Sequence, residues 1–282
     1  MRPDGRVFTG IFRRGSRTYF RSARFFPRPV REDVGYLYGF VRTADDLVDR
    51  VPQDAAGFRE FREAYAARRD GKTASAGPVI DRFVDLSLRR GFDPAWTEAF
   101  LDSMAMDLVK TEYASLGETL SYIYGSAEVV GLMMSRILGL APEALPCARL
   151  LGRAMQYINF LRDIREDLAL GRTYFPRDEM RAAGLASLGE EEARSRPQAF
   201  REFVREQIGR YRTWQSEAEK GYAFIPRRLR APIRTAAGMY EWTAGRIAAD
   251  PFIVFRRKVR PSRARILVTG LRNVLEPERG IR

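Results

Sequence analysis

The sequence predicts an all-α fold, and three observations carry that prediction. Apolar residues recur in segment after segment with a period near 3.6, the spacing that gives a helix one buried stripe. Runs with the two-residue alternation of strands are weak throughout. No glycine-rich turn after a strand, no phosphate-binding loop and no short internal repeat interrupts the pattern. At 282 residues the chain can bury a substantial core, and no composition shift is sharp enough to divide it. One domain over residues 1–282 is expected.

The elements follow in order. Pro29 suits the first turn of a long helix from about Val30 to Arg50. Val51-Pro52-Gln53-Asp54 ends it, because the residue before a proline is pushed out of the helical region, and Asp54 can cap the next helix. Gly71 to Gly77 reads as a small-residue loop. Further helices are expected at 78–90, 94–115, 117–140, 143–169, 197–221, 229–249 and 262–275. The Gly, Ser, Glu and Pro content of 184–197 predicts a flexible loop.

Composition removes whole classes of chemistry. There is no histidine, which excludes Ser-His-Asp hydrolysis, Cys-His proteolysis and histidine-bound zinc. The single cysteine, Cys147, has no partner for an intramolecular disulfide, so a reducing, cytoplasmic setting is expected. Any metal must be held by oxygen, which points to Mg²⁺, Mn²⁺ or Ca²⁺. The formal net charge of +13 fits a nucleic acid, an anionic membrane surface or a polyanionic small molecule, against the plain alternative of a solvated basic surface. The densest basic runs are Arg13 to Arg31 and Arg256 to Arg265. No run of roughly 18 apolar residues offers a membrane span, and Met1 to Gly15 is polar and arginine-rich, without a signal-peptide core. At most, the protein is expected to rest on a membrane.

Two polar stripes stand out. At about 100° per residue, Tyr38, Arg42, Asp45 and Asp49 fall within roughly 60° of one another on the first long helix, with Asp46 beside them. On the segment from Gln156 to Leu170, Gln156, Asn159, Asp163 and Asp167 fall within roughly 80°. Like charges at i, i+4 weaken a helix by a few tenths of a kcal/mol. One such pair arises readily by chance on a charged surface. Two pairs, each extended by hydrogen-bonding side chains on an apolar-rich helix, form an acidic cleft if they face each other. Such a cleft in a basic protein calls for divalent cations bridging to a phosphorylated ligand, with Arg42 and Arg162 meeting phosphate oxygens directly.

At these residues the sequence resembles the squalene/phytoene synthases, from about Gly15 to Leu267. The first motif runs from Leu37 to Asp49 and the second from Gln156 to Asp167, followed by Gly171-Arg-Thr-Tyr-Phe-Pro176. Between them lies Tyr122-Ile-Tyr-Gly-Ser-Ala-Glu-Val-Val-Gly131, and Gly15-Ser-Arg-Thr-Tyr-Phe20 resembles the family's flap, about 15–27 here. The resemblance implies a single-domain isoprenoid synthase helical bundle with a central cleft. It implies that Asp45, Asp49, Asp163 and Asp167 bind Mg²⁺, or Mn²⁺ in its place, with Asp46 as a supporting carboxylate. Ser16, Arg17, Tyr38, Arg42, Arg162 and Tyr240 match positions near diphosphate, as does Lys258 or its neighbour Arg257. Gln156 and Asn159 match the polar residues before the second motif, and Tyr122 a cleft tyrosine. Ala127-Glu128 departs from the family's frequent Ala-Gly and places an extra charge beside the central helix.

The implied reaction joins two prenyl diphosphates head to head through a cyclopropylcarbinyl diphosphate. It needs no histidine base, because the released diphosphate can take the proton. Tyr19, Phe20, Tyr122, Tyr157 and Phe160 are candidates for a dry lining that stabilises carbocations through ring faces, against the plainer reading of core packing. Ala23, one turn from Tyr19, leaves room for a long chain and favours phytoene from geranylgeranyl diphosphate. The alternatives are squalene, dehydrosqualene or presqualene diphosphate from farnesyl diphosphate, with NADPH required only for squalene. A terpene cyclase on the same fold is more remote. Nucleic acid is not an expected partner, because acids are interspersed among the arginines.

Overall fold

A computed structural model describes residues 5–275. It opens with α1 (Gly5–Gly15) and α2 (Arg17–Ser22), where the Ser16 hydroxyl caps α2 by accepting from the Tyr19 amide at 3.2 Å. A 3₁₀ turn, Ala23–Phe25, leads to the long α3 (Arg28–Asp49), with proline in its first turn as expected. Asp54 caps α4 (Ala55–Arg69), its carboxylate accepting from the Gly57 amide at 2.9 Å. α5 (Pro78–Arg90) stops at Gly91, whose φ of 61° is left-handed, the usual glycine C-terminus.

The next predicted helix, 94–115, is too long. α6 (Pro94–Met106) gives way to turns and then to β1 (Glu112–Tyr113). The predicted 117–140 helix is α7 (Leu116–Ile123), a π-helical turn over Tyr124–Glu128, and α8 (Val129–Leu138). The predicted 143–169 helix divides at Asp163 into α9 (Leu145–Arg162) and α10 (Ile164–Ala169). β2 (Thr173–Pro176) pairs in parallel with β1, a two-strand patch too short for period-2 patterning to reveal.

The segment expected to be a loop at 184–197 contains α12 (Glu190–Ser195), which follows α11 (Arg177–Ala182). Leu185, Leu188 and Ala193 are buried, and these three apolar anchors outweigh the polar composition. α13 (Pro197–Glu219), α14 (Arg227–Ala249), α15 (Ile253–Arg256) and α16 (Arg263–Leu275) complete the chain.

The buried side chains form two cores. One gathers around α3, α5, α6 and α8, with Phe40 stacked on Phe83 at 3.8 Å between ring centroids. The other lies among α9, α13, α14 and β2, with Phe160 stacked on Tyr174 at 4.4 Å. Tyr19 and Tyr222 pack against both. α8 and α9 join the halves at close range. A Cβ on Gly131 would meet the Ala148 carbonyl oxygen at 2.3 Å, and one on Gly152 the Ala127 carbonyl oxygen at 2.4 Å. Backbone cannot yield as a flexible side chain does. Gly152→Val should therefore destabilise the fold by about 1–3 kcal/mol, the usual cost of overpacking, read as a lower denaturation midpoint at unchanged m-value.

Candidate active site

Between the two cores lies a cavity of about 740 Å³, within the usual range for small-molecule sites. Its body is apolar, lined by residues such as Ala23, Phe26, Leu138, Ala144 and Met239. The two predicted stripes meet at its polar end. Tyr38, Arg42, Asp45 and Asp49 line it from α3, and Gln156, Asn159, Arg162, Asp163 and Asp167 from α9 and α10. The helix break at Asp163 (φ −104°, ψ 13°) does not scatter the second stripe, because the Asp167 amide still donates to the Asp163 carbonyl at 2.8 Å. Ser16, Tyr122, Tyr240 and Lys258 also line the cavity. Asp46 is more exposed and reaches the site through Arg42. Arg17 opens α2, but its side chain lies outside the described residues. Of the two basic candidates in the tail, Lys258 faces the cavity and Arg257 is exposed.

Each acidic motif already has cations on it. Arg42 bonds Asp45 at 2.7 Å and also pairs with Asp46. Arg162 holds Asp163 through two nitrogens, with Nε at 2.9 Å, and Lys258 adds Nζ at 2.8 Å. Arg172 binds Asp49 at 2.7 Å. Among the described residues, no group of three or more acidic side chains closes on one point.

The carboxylates titrate unequally as a result. Loss of water, with Asp49 one turn away, pushes Asp45 up to about 7 against the opposing pull of Arg42. Burial raises Asp167 well above the usual carboxylate range, helped by Asp163 and Asp49. Burial also pushes Asp163 up, but Arg162 and Lys258 outweigh it and hold that carboxyl below its ordinary value.

The site also contains residues to which the sequence assigned no role. Asp107 is nearly fully buried and accepts from the Tyr122 hydroxyl at 2.7 Å and the Tyr174 hydroxyl at 2.8 Å. Burial pushes its carboxyl up to about 6, although Arg172 and both hydroxyls oppose the shift. Arg172 also donates to the Val48 carbonyl at 2.7 Å, tying β2 to the end of α3. Arg172 and Tyr174 stood inside a recognised motif, but no sequence pattern connects them to Asp107.

Tyr240 donates to the Tyr19 hydroxyl at 2.9 Å, linking α14 to α2 across the cavity. Two buried oxygens on the acidic face, Asn159 Oδ1 and Glu166 Oε2, lack a hydrogen-bond partner among the described residues.

Three of the five predicted aromatics line the cavity: Tyr19, Tyr122 and Phe160. Tyr157 instead belongs to a buried network with Gln207 and Arg210 in the second core, and Phe20 packs against Phe12. The unexpected Glu128 does not face the cleft. It is buried against α9 and paired with Arg149 at 2.9 Å and Arg153 at 2.6 Å.

An apolar cavity whose polar end carries paired carboxylates, arginines and unpartnered oxygens belongs to a helical protein built for an amphiphilic, multiply charged ligand. The sequence profile described as squalene/phytoene synthase matches residues 12–265. A 15-cis-phytoene synthase from Paracoccus sp. is 30% identical over 268 residues, covering 91% of this chain and 86% of that protein. The phytoene synthase of Pseudescherichia vulneris is 31% identical over 237 residues, covering 80% of this chain and 76% of that one. A solved dehydrosqualene synthase shares the fold at a TM-score of 0.84 and 21% identity, over 96% of this chain and 95% of that chain. The chain belongs to the squalene/phytoene synthase family of prenyltransferases.

Proposed function

We propose that the chain condenses two geranylgeranyl diphosphates head to head into phytoene and releases diphosphate. The observation that carries this reading is the two-ended cavity, with an apolar body for two prenyl chains and a polar end for their diphosphates. The names of the curated relatives support it, since both cited above are phytoene synthases.

Asp45, Asp46, Asp49, Asp163 and Asp167 suit Mg²⁺ or Mn²⁺. The donor set is all oxygen, and the unpartnered Asn159 Oδ1 and Glu166 Oε2 lie on the same face. A divalent cation held there would supply positive charge to the departing diphosphate. The chain's own groups do the rest. Arg42, Arg162 and Lys258 can exchange carboxylate for phosphate oxygens as the allylic C–O bond breaks and its electron pair leaves with the diphosphate. Burial keeps the Tyr19, Tyr38 and Tyr240 hydroxyls protonated, so they remain hydrogen-bond donors. Tyr122 and Phe160 line the cavity, where aromatic rings would stabilise developing cationic carbon. The final proton is lost to a diphosphate oxygen.

A second reading, condensation of farnesyl diphosphate, has the support of the squalene- and dehydrosqualene-synthase structures that share the fold. Against it, Ala23 lies at the cavity wall, where a small residue admits the longer chain. Purified protein incubated with Mg²⁺ and either substrate, with and without NADPH, separates the two. Phytoene from geranylgeranyl diphosphate without NADPH is expected. A thirty-carbon product alone would reverse the assignment.

Because Asp45 and Asp167 must both lose a proton to bind a cation, Mg²⁺ affinity should rise with pH, by at least about tenfold per unit below about 7. Calorimetric titration across that range reads both the slope and the released proton. An affinity independent of pH would remove Asp45 from the ligand set.

A further inference from the structure

Helix α16 has its polarity reversed relative to a helix that only covers a core. Ile266 and Gly270 are buried and Thr269 and Asn273 half-buried, and these four form its inner face. Gly270 lies so close to the Phe25 ring that a Cβ there would meet Phe25 Cε2 at 2.1 Å. Asn273 donates to the Thr235 hydroxyl of α14 at 3.0 Å. The face turned outward is nonetheless apolar. Leu267, Val268, Leu271, Val274 and Leu275 are between 49% and 77% exposed. At about 100° per residue they occupy one arc of roughly 120°. They make up half of the large hydrophobic residues exposed among the described residues.

The charges are arranged around this stripe. Arg265 and Arg272 flank one side of the arc, and Arg263 the other. From Pro251 to Leu275 there are seven basic residues and no acidic one, within a chain that elsewhere mixes both signs. The basic stretch reaches the cavity, because Lys258, Arg260 and Pro261 line it. No described helix is long and apolar enough to cross a membrane.

We propose that the outer face of α16 is a docking surface for an anionic lipid bilayer. The leucines and valines would insert at the level of the headgroups, and the arginines beside them would meet lipid phosphates. An apolar arc bordered by arginine on both sides is the arrangement of a helix that lies in the plane of an interface. The charge selects the occupant, since net-positive faces favour acidic lipid over a second copy bearing the same charge. Docking in this way places the basic edge of the cavity next to the bilayer. The proposal concerns binding alone and does not depend on which reaction the cavity performs.

Flotation of the purified full chain with vesicles tests it. The protein should float with mixed phosphatidylcholine and phosphatidylglycerol vesicles and stay behind with phosphatidylcholine alone. Molar salt, which shortens the screening length to about 3 Å, should release a large share. The variant L267E/L271E should lose at least about tenfold in partitioning while keeping its melting temperature and its turnover in detergent. R263Q should weaken binding to the acidic vesicles only. Failure of the unmodified protein to float with acidic vesicles overturns the proposal. It is equally overturned if sedimentation shows a dimer that L267E/L271E dissociates without any vesicle binding. If that variant floats as well as the parent, α16 is not the surface.

Discussion

Asp167→Asn should lower turnover by roughly a hundred- to a thousandfold and, in the same protein, raise the melting temperature measured without metal. The two effects have one cause. Burial, Asp163 and Asp49 together push the Asp167 carboxyl well above its unfolded value. A raised folded-state value means that the folded protein holds this proton more tightly than the unfolded chain. Stability is therefore lost as pH rises from the unfolded value through the folded one, so above the unfolded value this carboxyl acts against the fold. Asparagine has nearly the same shape and no carboxyl to titrate, so the metal-free protein gains. The same substitution removes an anionic oxygen from the proposed metal set, and losing one group of this kind commonly costs two to three orders of magnitude. Melting curves with EDTA and with excess Mg²⁺ give the comparison. The parent should gain stability from Mg²⁺ by mass action, and the variant should gain much less. A variant that loses activity and stability together would make Asp167 a structural residue.

The second large effect is expected at Arg172. Its guanidinium is buried, bonded to Asp49 and to the Val48 carbonyl, and 3.9 Å from Asp107. Arg172→Met keeps much of the volume but leaves Asp49 and the Val48 carbonyl short of a donor and Asp107 without its nearby positive charge. Breaking one side of a buried ionic network costs about 3–5 kcal/mol, so the variant should unfold at much lower denaturant. Arg172→Lys should recover part of the loss, because it restores the charge but not the fork of donors that reaches Asp49 and Val48 together. Pairing Arg172→Met with Asp107→Asn tests the coupling. The double variant should be less damaged than the two single effects added, because removing both charges leaves neither uncompensated.

The parts of this site legible in the sequence are those written at helical spacing. Four residues on α3 and four on α9 and α10 fell on common stripes by arithmetic alone, and all eight line the cavity. The stripe survived the break at Asp163 because one hydrogen bond, from the Asp167 amide, preserved the turn. Asp107, by contrast, lies just past the end of a helix that the periodicity extended too far. Its partners are 15 and 67 residues distant. Only the packing of α6, α7 and β2 brings them together, and no local pattern encodes that. The 184–197 segment failed for a related reason. Its polar majority predicted a loop, while Leu185, Leu188 and Ala193 decided its position. Lys258 was reached only through a resemblance. Its contact with Asp163 spans 95 positions.

The glycine contact between α8 and α9 has a meaning beyond local fit. α8 carries one core and α9 the other, and Gly131 and Gly152 let the backbone of α9 nearly touch α8 and the π-helical turn before it. The molecule is built like a hinged book, with these two helices as the spine and the cavity as the gap between its covers. One acidic motif lies on α3, and the other at the C-terminal end of α9 and on α10. Because the second motif continues from α9, a change in the packing of α9 against α8 should also shift that motif relative to α3. A methyl group at Gly152 should therefore be felt at aspartates that it never touches, because it would meet the Ala127 carbonyl oxygen at 2.4 Å and push α9 aside.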